Sequence, residues 1–197
     1  MLRRILGIVM IGLGLGCGTA QAHPHVFVTA AIAIRFDATG KLTGVDETFT
    51  FDDVFSSFST QGLDTNGDGK LSREELAPLA TTNITAMKEF DYYTYASHGK
   101  DWRDFDDPKD YWLEDKNGVL VLHFFLPFKV PAPVDGQLSI EVRDPTIYVA
   151  FRMADQDSVR LIDAPPGCSV EPAKPDPDAG YAQQNRMTVI CKPAASH

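Results

Sequence analysis

The stretch "HVFVTAAIAIRF", residues 25–36, decides the fold class. Val26, Val28, Ala30, Ile32, Ile34 and Phe36 fall on alternate positions, with His25, Phe27, Thr29 and Arg35 between them. A period of two is that of a strand with one buried face, because successive side chains leave opposite sides of the pleat. "DATGKLTG" at 37–44 carries the Asp and Gly of a turn, and "VDETFTFD" at 45–52 reads as a returning strand. The chain therefore opens with a β-hairpin.

Beyond the hairpin the period changes. Val54, Phe55 and Phe58 within residues 53–62, then Leu76, Leu79, Ile84, Met87 and Phe90 within residues 72–90, follow helical spacing. Pro78 falls in the first two turns of the second segment, where a missing N–H is tolerable. Strand-like runs return at 92–98, 111–115, 119–128, 137–144, 146–153 and 185–192, with Lys116-Asn117-Gly118 and Asp144-Pro145 as turns. The expected class is α+β: a mainly antiparallel β-sheet or sandwich with an inserted EF-hand-like helix-loop-helix at about 52–90. No internal repeat is present.

The ends and the charge place the chain in a compartment. Arg3 and Arg4, the apolar run Ile5 to Leu15, and the small-x-small site Ala20-Gln21-Ala22 form a signal peptide over residues 1–22, cleaved after Ala22. "LGC" at Cys17 offers a lipoprotein alternative, with Gly14 standing three positions earlier where such signals favour leucine. Removing 22 of 197 residues leaves a single mature domain, 23–197, in the periplasm. Its formal charge moves from −9 to −11 as Arg3 and Arg4 depart, a surface that repels nucleic acid and suits cations. No later run reaches the roughly 20 apolar residues of a membrane span. Cys168 and Cys191 remain, and two cysteines in an exported chain are expected to form one disulfide around the Pro-rich stretch 171–180.

"DTNGDGKLSREE", residues 64–75, joins the two helical segments and fits an EF-hand loop position by position. Asp64, Asn66 and Asp68 stand at positions 1, 3 and 5, and Gly69 at 6 supplies the sharp turn. Lys70 at 7 offers a carbonyl, Ser72 at 9 a hydroxyl, and Glu75 at 12 a bidentate carboxylate. Calcium takes six to eight oxygens, and a short loop hinged on glycine can wrap them around it. Leu71 at position 8 is the residue expected to pin the loop to a core. "DFDDPKDYWLED" at 104–115 is no second loop, since Pro108 and Lys109 stand where a ligand and Gly are needed. A lone exported site is expected to bind weakly, at about 10⁻⁴ to 10⁻³ M, as a brace rather than a switch.

Cleavage after Ala22 would expose His23-Pro24-His25. Imidazole suits zinc, nickel, copper and cobalt. Pro24 has no amide proton, so the square-planar amine-amide-imidazole motif is broken and the histidines would need further ligands, with Glu47 or the carboxylates of "FDD" at 51–53 as candidates. His123, in a run apolar on both faces, reads as a satisfied core histidine. There is no GxSxG, HExxH or phosphate-binding glycine loop, so no enzyme is expected.

"AHPHVFV" at 22–28, "FTFDDVFSSF" at 49–58, the calcium loop, "LHFFLPF" at 122–128 and "RDPTIYVAF" at 143–151 together resemble a group of bacterial periplasmic proteins labelled as the periplasmic component of an ABC-type transport system. That group is encoded beside NicO-type nickel/cobalt permeases, and its ZevA-type members serve zinc uptake. The resemblance covers nearly all of the mature chain. It implies an accessory protein that binds zinc, nickel or cobalt, with His23 and His25 as the metal ligands, for an inner-membrane NicO-type permease. The alternative is a calcium-stabilised structural or interaction module without a transition-metal role. A third reading is a copper histidine-brace oxidoreductase, with His98 or His123 joining His23.

Overall fold

The computed structural model describes residues 24–133, 138–172 and 185–191. The signal peptide, its cleavage site and His23 lie outside the described residues.

The alternating stretch becomes β1, Val26–Phe36, and its even-numbered apolar residues are all buried. β2, Leu42–Phe51, pairs antiparallel with it, placing Val28 opposite Phe51 and Ile34 opposite Val45. β6, Val119–Ala132, flanks β2, and β5, Lys109–Lys116, flanks β6. On its other edge β1 takes two short parallel partners, β8 (Val149–Met153) and β9 (Val159–Ile162).

The second sheet runs β10 (Cys168–Pro172), β11 (Asn185–Cys191), β7 (Leu138–Val142), β3 (Thr94–His98), β4 (Asp101–Arg103). Side chains from both sheets, among them Ile34, Phe49, Phe124 and Leu126 from the first and Leu138, Ile140 and Val189 from the second, form one buried cluster. Phe49 meets Phe124 and Phe151 edge-on at 5.3 and 5.2 Å, the arrangement favoured by aromatic quadrupoles. The α+β, sheet-rich class expected from the sequence is the one observed, and no helix among the described residues is long and apolar enough to cross a membrane.

Two helices join β2 to β3. α1, Asp53–Ser59, is shorter than its apolar spacing suggests, and Val54 and Phe58 are 80% and 75% exposed. Its buried residue is Ser56, whose Oγ donates to the Asp52 carbonyl at 2.7 Å and accepts from the Leu120 N–H at 3.0 Å. Phe55 alone of the three packs inward, stacked on Phe51 at 4.6 Å. α2, Arg73–Met87, buries Leu76, Ala80, Ile84 and Met87 at helical spacing and continues through Pro78. A 3-10 turn, Lys88–Tyr93, follows.

Cys168 and Cys191 stand opposite each other on β10 and β11 and form a disulfide. A closed loop of this length, 23 residues apart in sequence, stabilises a fold by about 3 kcal/mol, chiefly by restricting the unfolded chain. The disulfide fits an oxidising compartment. β4, β9 and β10 have no counterpart in the sequence reading, and the expected strand at 92–98 begins two residues late. Asp91, Tyr92 and Tyr93 are held at φ +52°, +55° and +58°, a left-handed run of three non-glycine residues that no strand accommodates.

Candidate functional site

Residues 64–75 form an organised loop. Asp64 accepts through Oδ1 from the N–H of Gly67 at 2.7 Å and Asp68 at 3.2 Å, and through Oδ2 from that of Gly69 at 2.9 Å. Asn66 Oδ1 accepts from the Asp68 N–H, and Asp68 Oδ1 from the Lys70 N–H, each at 2.8 Å. These successive side-chain caps wind the chain around its own carboxylates. Gly69, at φ +78°, makes the reversal that a side-chain-bearing residue would resist.

The loop then enters α2 through a capping box. Ser72 is the N-cap, its Oγ accepting from the Glu75 N–H, while Glu75 Oε2 accepts from the Ser72 N–H at 2.9 Å. Glu75 Oε1 reaches back to accept from the N–H and hydroxyl of Thr65, each at 2.9 Å. These donors, the Ser72 N–H foremost, hold the carboxylate down at a pKa of about 2. Glu75 is thus an anion across any physiological pH and ties both ends of the loop together. Leu63 and Leu71 pack against the hydrophobic core and anchor the loop to the body of the protein.

The donor chemistry of Asp64, Asn66, Asp68, Lys70, Ser72 and Glu75 fits a hard, oxygen-seeking cation. As arranged, the carboxylates face loop N–H groups, and among the described residues no three His, Cys, Asp or Glu side chains converge as a metal cluster.

His25 lies at the entry to β1, exposed, with its ring 5.1 Å from that of Tyr148. Its N–H donates to the Tyr148 carbonyl at 2.9 Å, so the parallel partner strand fixes where the N-terminal segment leaves the sheet. Asp52 lies beside this entry. Its Oδ2 accepts from the Phe27 N–H and its Oδ1 caps α1 through the Phe55 N–H, both at 2.8 Å. Phe27 and Tyr148, next to His25, are exposed, as are Val54 and Phe58 on the helix that Asp52 caps.

Glu47 does not join His25. It points between the sheets, 1% exposed, with Oε1 accepting from the Thr94 hydroxyl at 3.0 Å and Oε2 buried without a partner. Burial raises its pKa to about 8. The period of two along β2 puts Glu47 on the buried face of Val45 and Phe49, a signal already present in the alternation at 45–52. His123 is satisfied but on the outer face of its sheet, not in the core. Nε2 contacts Glu114 Oε1 at 2.7 Å, Nδ1 the Thr48 hydroxyl at 3.3 Å, and the ring stacks on Trp112.

The fold and these sites define a disulfide-closed, two-sheet protein with a helix-loop-helix between its second and third strands. The model of one family, described as a protein of unknown function (DUF1007), matches residues 8–195, and the chain belongs to that family. No curated protein matches it.

Proposed function

We propose that this chain is a non-enzymatic, periplasmic divalent-metal-binding accessory protein for an inner-membrane transition-metal permease of the NicO type, with one calcium site at residues 64–75. The observation that carries the calcium part is the loop's pre-built framework: Asp64 collects the N–H groups of Gly67, Asp68 and Gly69, and Glu75 bridges both ends. A calcium ion would draw on Asp64, Asn66, Asp68, the Lys70 carbonyl, Ser72 and Glu75, bracing the junction of loop and α2.

The transition-metal part rests on the exposed His25 at the entry to β1 and on the resemblance to permease-associated proteins. Imidazole there could exchange zinc, nickel or cobalt with a partner, whereas a closed set of four protein ligands would make the metal structural. The exposed Phe27 and Tyr148 next to it, and Val54 and Phe58 exposed on α1, offer apolar surface to a partner.

The test is made in cells that naturally carry the chain. Deleting it should change their zinc, nickel or cobalt content under scarcity or excess of the metal, and wild type should restore that content. His23→Ala/His25→Ala should fail to restore it while accumulating to the same level. Restoration by the double variant would reject the N-terminal site, and unchanged metal content on deletion would reject the transport role.

A further inference from the structure

Arg73 is the residue through which the calcium loop meets the outer face of the first sheet. It follows Ser72 directly and opens α2, and its guanidinium carbon lies 4.7 Å from the centre of the Trp112 ring. Trp112 on β5 is in register with His123 on β6, and the two rings stack at 4.7 Å with 15° between their planes. His123 in turn contacts Glu114 through Nε2 at 2.7 Å and the Thr48 hydroxyl through Nδ1 at 3.3 Å. One chain of contacts thus runs from the tenth position of the loop, through a guanidinium, an indole and an imidazole, to the middle of the sheet.

That chain forms one wall of a cleft. A space of about 400 Å³ lies on the outer face, lined by Trp112, His123 and Thr48 and, across the strands, by Arg35, Asp46 and Arg160. Strand register puts these side chains on one face: Thr48 stands opposite His123, Asp46 opposite Ala33, and Ala33 opposite Arg160. Arg35 is clamped by Asp46 and lies over the Phe125 ring at 5.0 Å, so the floor is fixed by contacts within the sheet. The Trp112 wall differs, because part of its support comes from outside the sheet, from Arg73.

The loop can move its own end of this chain. Glu75 Oε2 accepts from the N–H and hydroxyl of Ser72, and Oε1 from those of Thr65. A bidentate calcium contact draws on the same two oxygens. Filling the loop therefore redraws the bonds of Ser72, the residue joined to Arg73, and with them the first turn of α2. Further along, the helix is held in place, because Leu76 lies in the same buried cluster as Leu113, the neighbour of Trp112. The adjustment falls on Arg73. Attraction between a guanidinium and an indole needs the cation over the ring within about 6 Å, so a shift there alters the hold on Trp112 directly.

We propose that calcium in the loop sets the Trp112–His123 wall of this cleft through Arg73, so that the ion regulates the shape of a cleft within the size range of small-molecule sites. The inference rests on the calcium reading above and adds what the bound ion acts on. The coupling is carried by packed side chains in direct contact, from the loop to the sheet.

The chain has two tryptophans, Trp102 and Trp112, and Trp102 is exposed on an edge strand of the second sheet, so Trp102→Phe leaves Trp112 as the one indole. Mature Trp102→Phe protein is titrated with calcium while Trp112 emission is read, and the same sample is titrated in a calorimeter. Emission should change with the midpoint of the calorimetric binding. Arg73→Gln in that background should still bind calcium and lose most of the emission change. The reciprocal variant, Trp112→Phe, keeps Trp102 and should show none. Calorimetric binding without a change at Trp112 would overturn the coupling and leave the calcium site standing. An undiminished change in Arg73→Gln, or an equal change at Trp102, would also overturn it, since the effect would then not pass through Arg73. No calorimetric binding of calcium would remove the calcium reading, and the coupling with it.

Discussion

At pH 8, Glu47→Gln is expected to be more stable than wild type by on the order of 2–4 kcal/mol, and at pH 4 the two should be alike. Glu47 is buried between the sheets, and desolvation lifts its pKa to about 8. Below about pH 4.5 both the folded and the unfolded chain hold this proton, so it contributes no slope. Between about pH 4.5 and 8 the folded protein keeps the proton and the unfolded chain releases it. Stability then falls as pH rises, at up to ~1.4 kcal/mol per pH unit. Above about pH 8 both states are ionised and the slope ends.

Glutamine removes the titration while retaining an oxygen for Thr94. Its amide would stand where Glu47 Oε2 now has no partner, which keeps the gain below the full electrostatic penalty. Urea unfolding of both proteins across pH 4 to 9 measures the difference directly. A wild-type slope matched by the variant would show that Glu47 ionises freely in the folded state.

Calcium should raise the melting temperature of the wild type and not of Glu75→Gln. With a dissociation constant of about 10⁻⁴ to 10⁻³ M, 10 mM calcium is roughly 10 to 100 times that constant. Binding to the folded state alone then stabilises by about 1.4–2.7 kcal/mol, or roughly 3–10 °C for a chain of this size. Glu75→Gln removes the bidentate anion and weakens the bridge to Thr65 and Ser72, so its melting temperature should start lower and ignore calcium. Magnesium, which prefers near-ideal octahedral geometry and its own waters, should do less than calcium. Equal calcium shifts in wild type and variant would place the ion elsewhere.

The parts of the fold that were legible are those where local pattern and burial coincide. β1 was readable because its period-two alternation continues for eleven residues and one sheet face buries all of its even-numbered residues. The loop at 64–75 was readable because its geometry depends on residues twelve apart at most. α1 misled because Val54, Phe55 and Phe58 satisfy helical spacing, whereas the packed surface is small and centred on Ser56. β9 is short and gains its identity only from parallel pairing with β1, more than a hundred residues away. The same non-locality hid the partner of Glu47, the Thr94 hydroxyl 47 residues further along the chain. The turn at Asp91–Tyr93 carries no glycine or asparagine to announce its left-handed backbone.

The most direct test of the metal-binding account is calorimetric titration of correctly processed, calcium-loaded protein with zinc, nickel and cobalt beside His23→Ala/His25→Ala. The account predicts one-site binding in the wild type that is lost in the double variant while the calcium response persists. Equal binding by both proteins, or none by either, would contradict it and leave the chain a calcium-braced module.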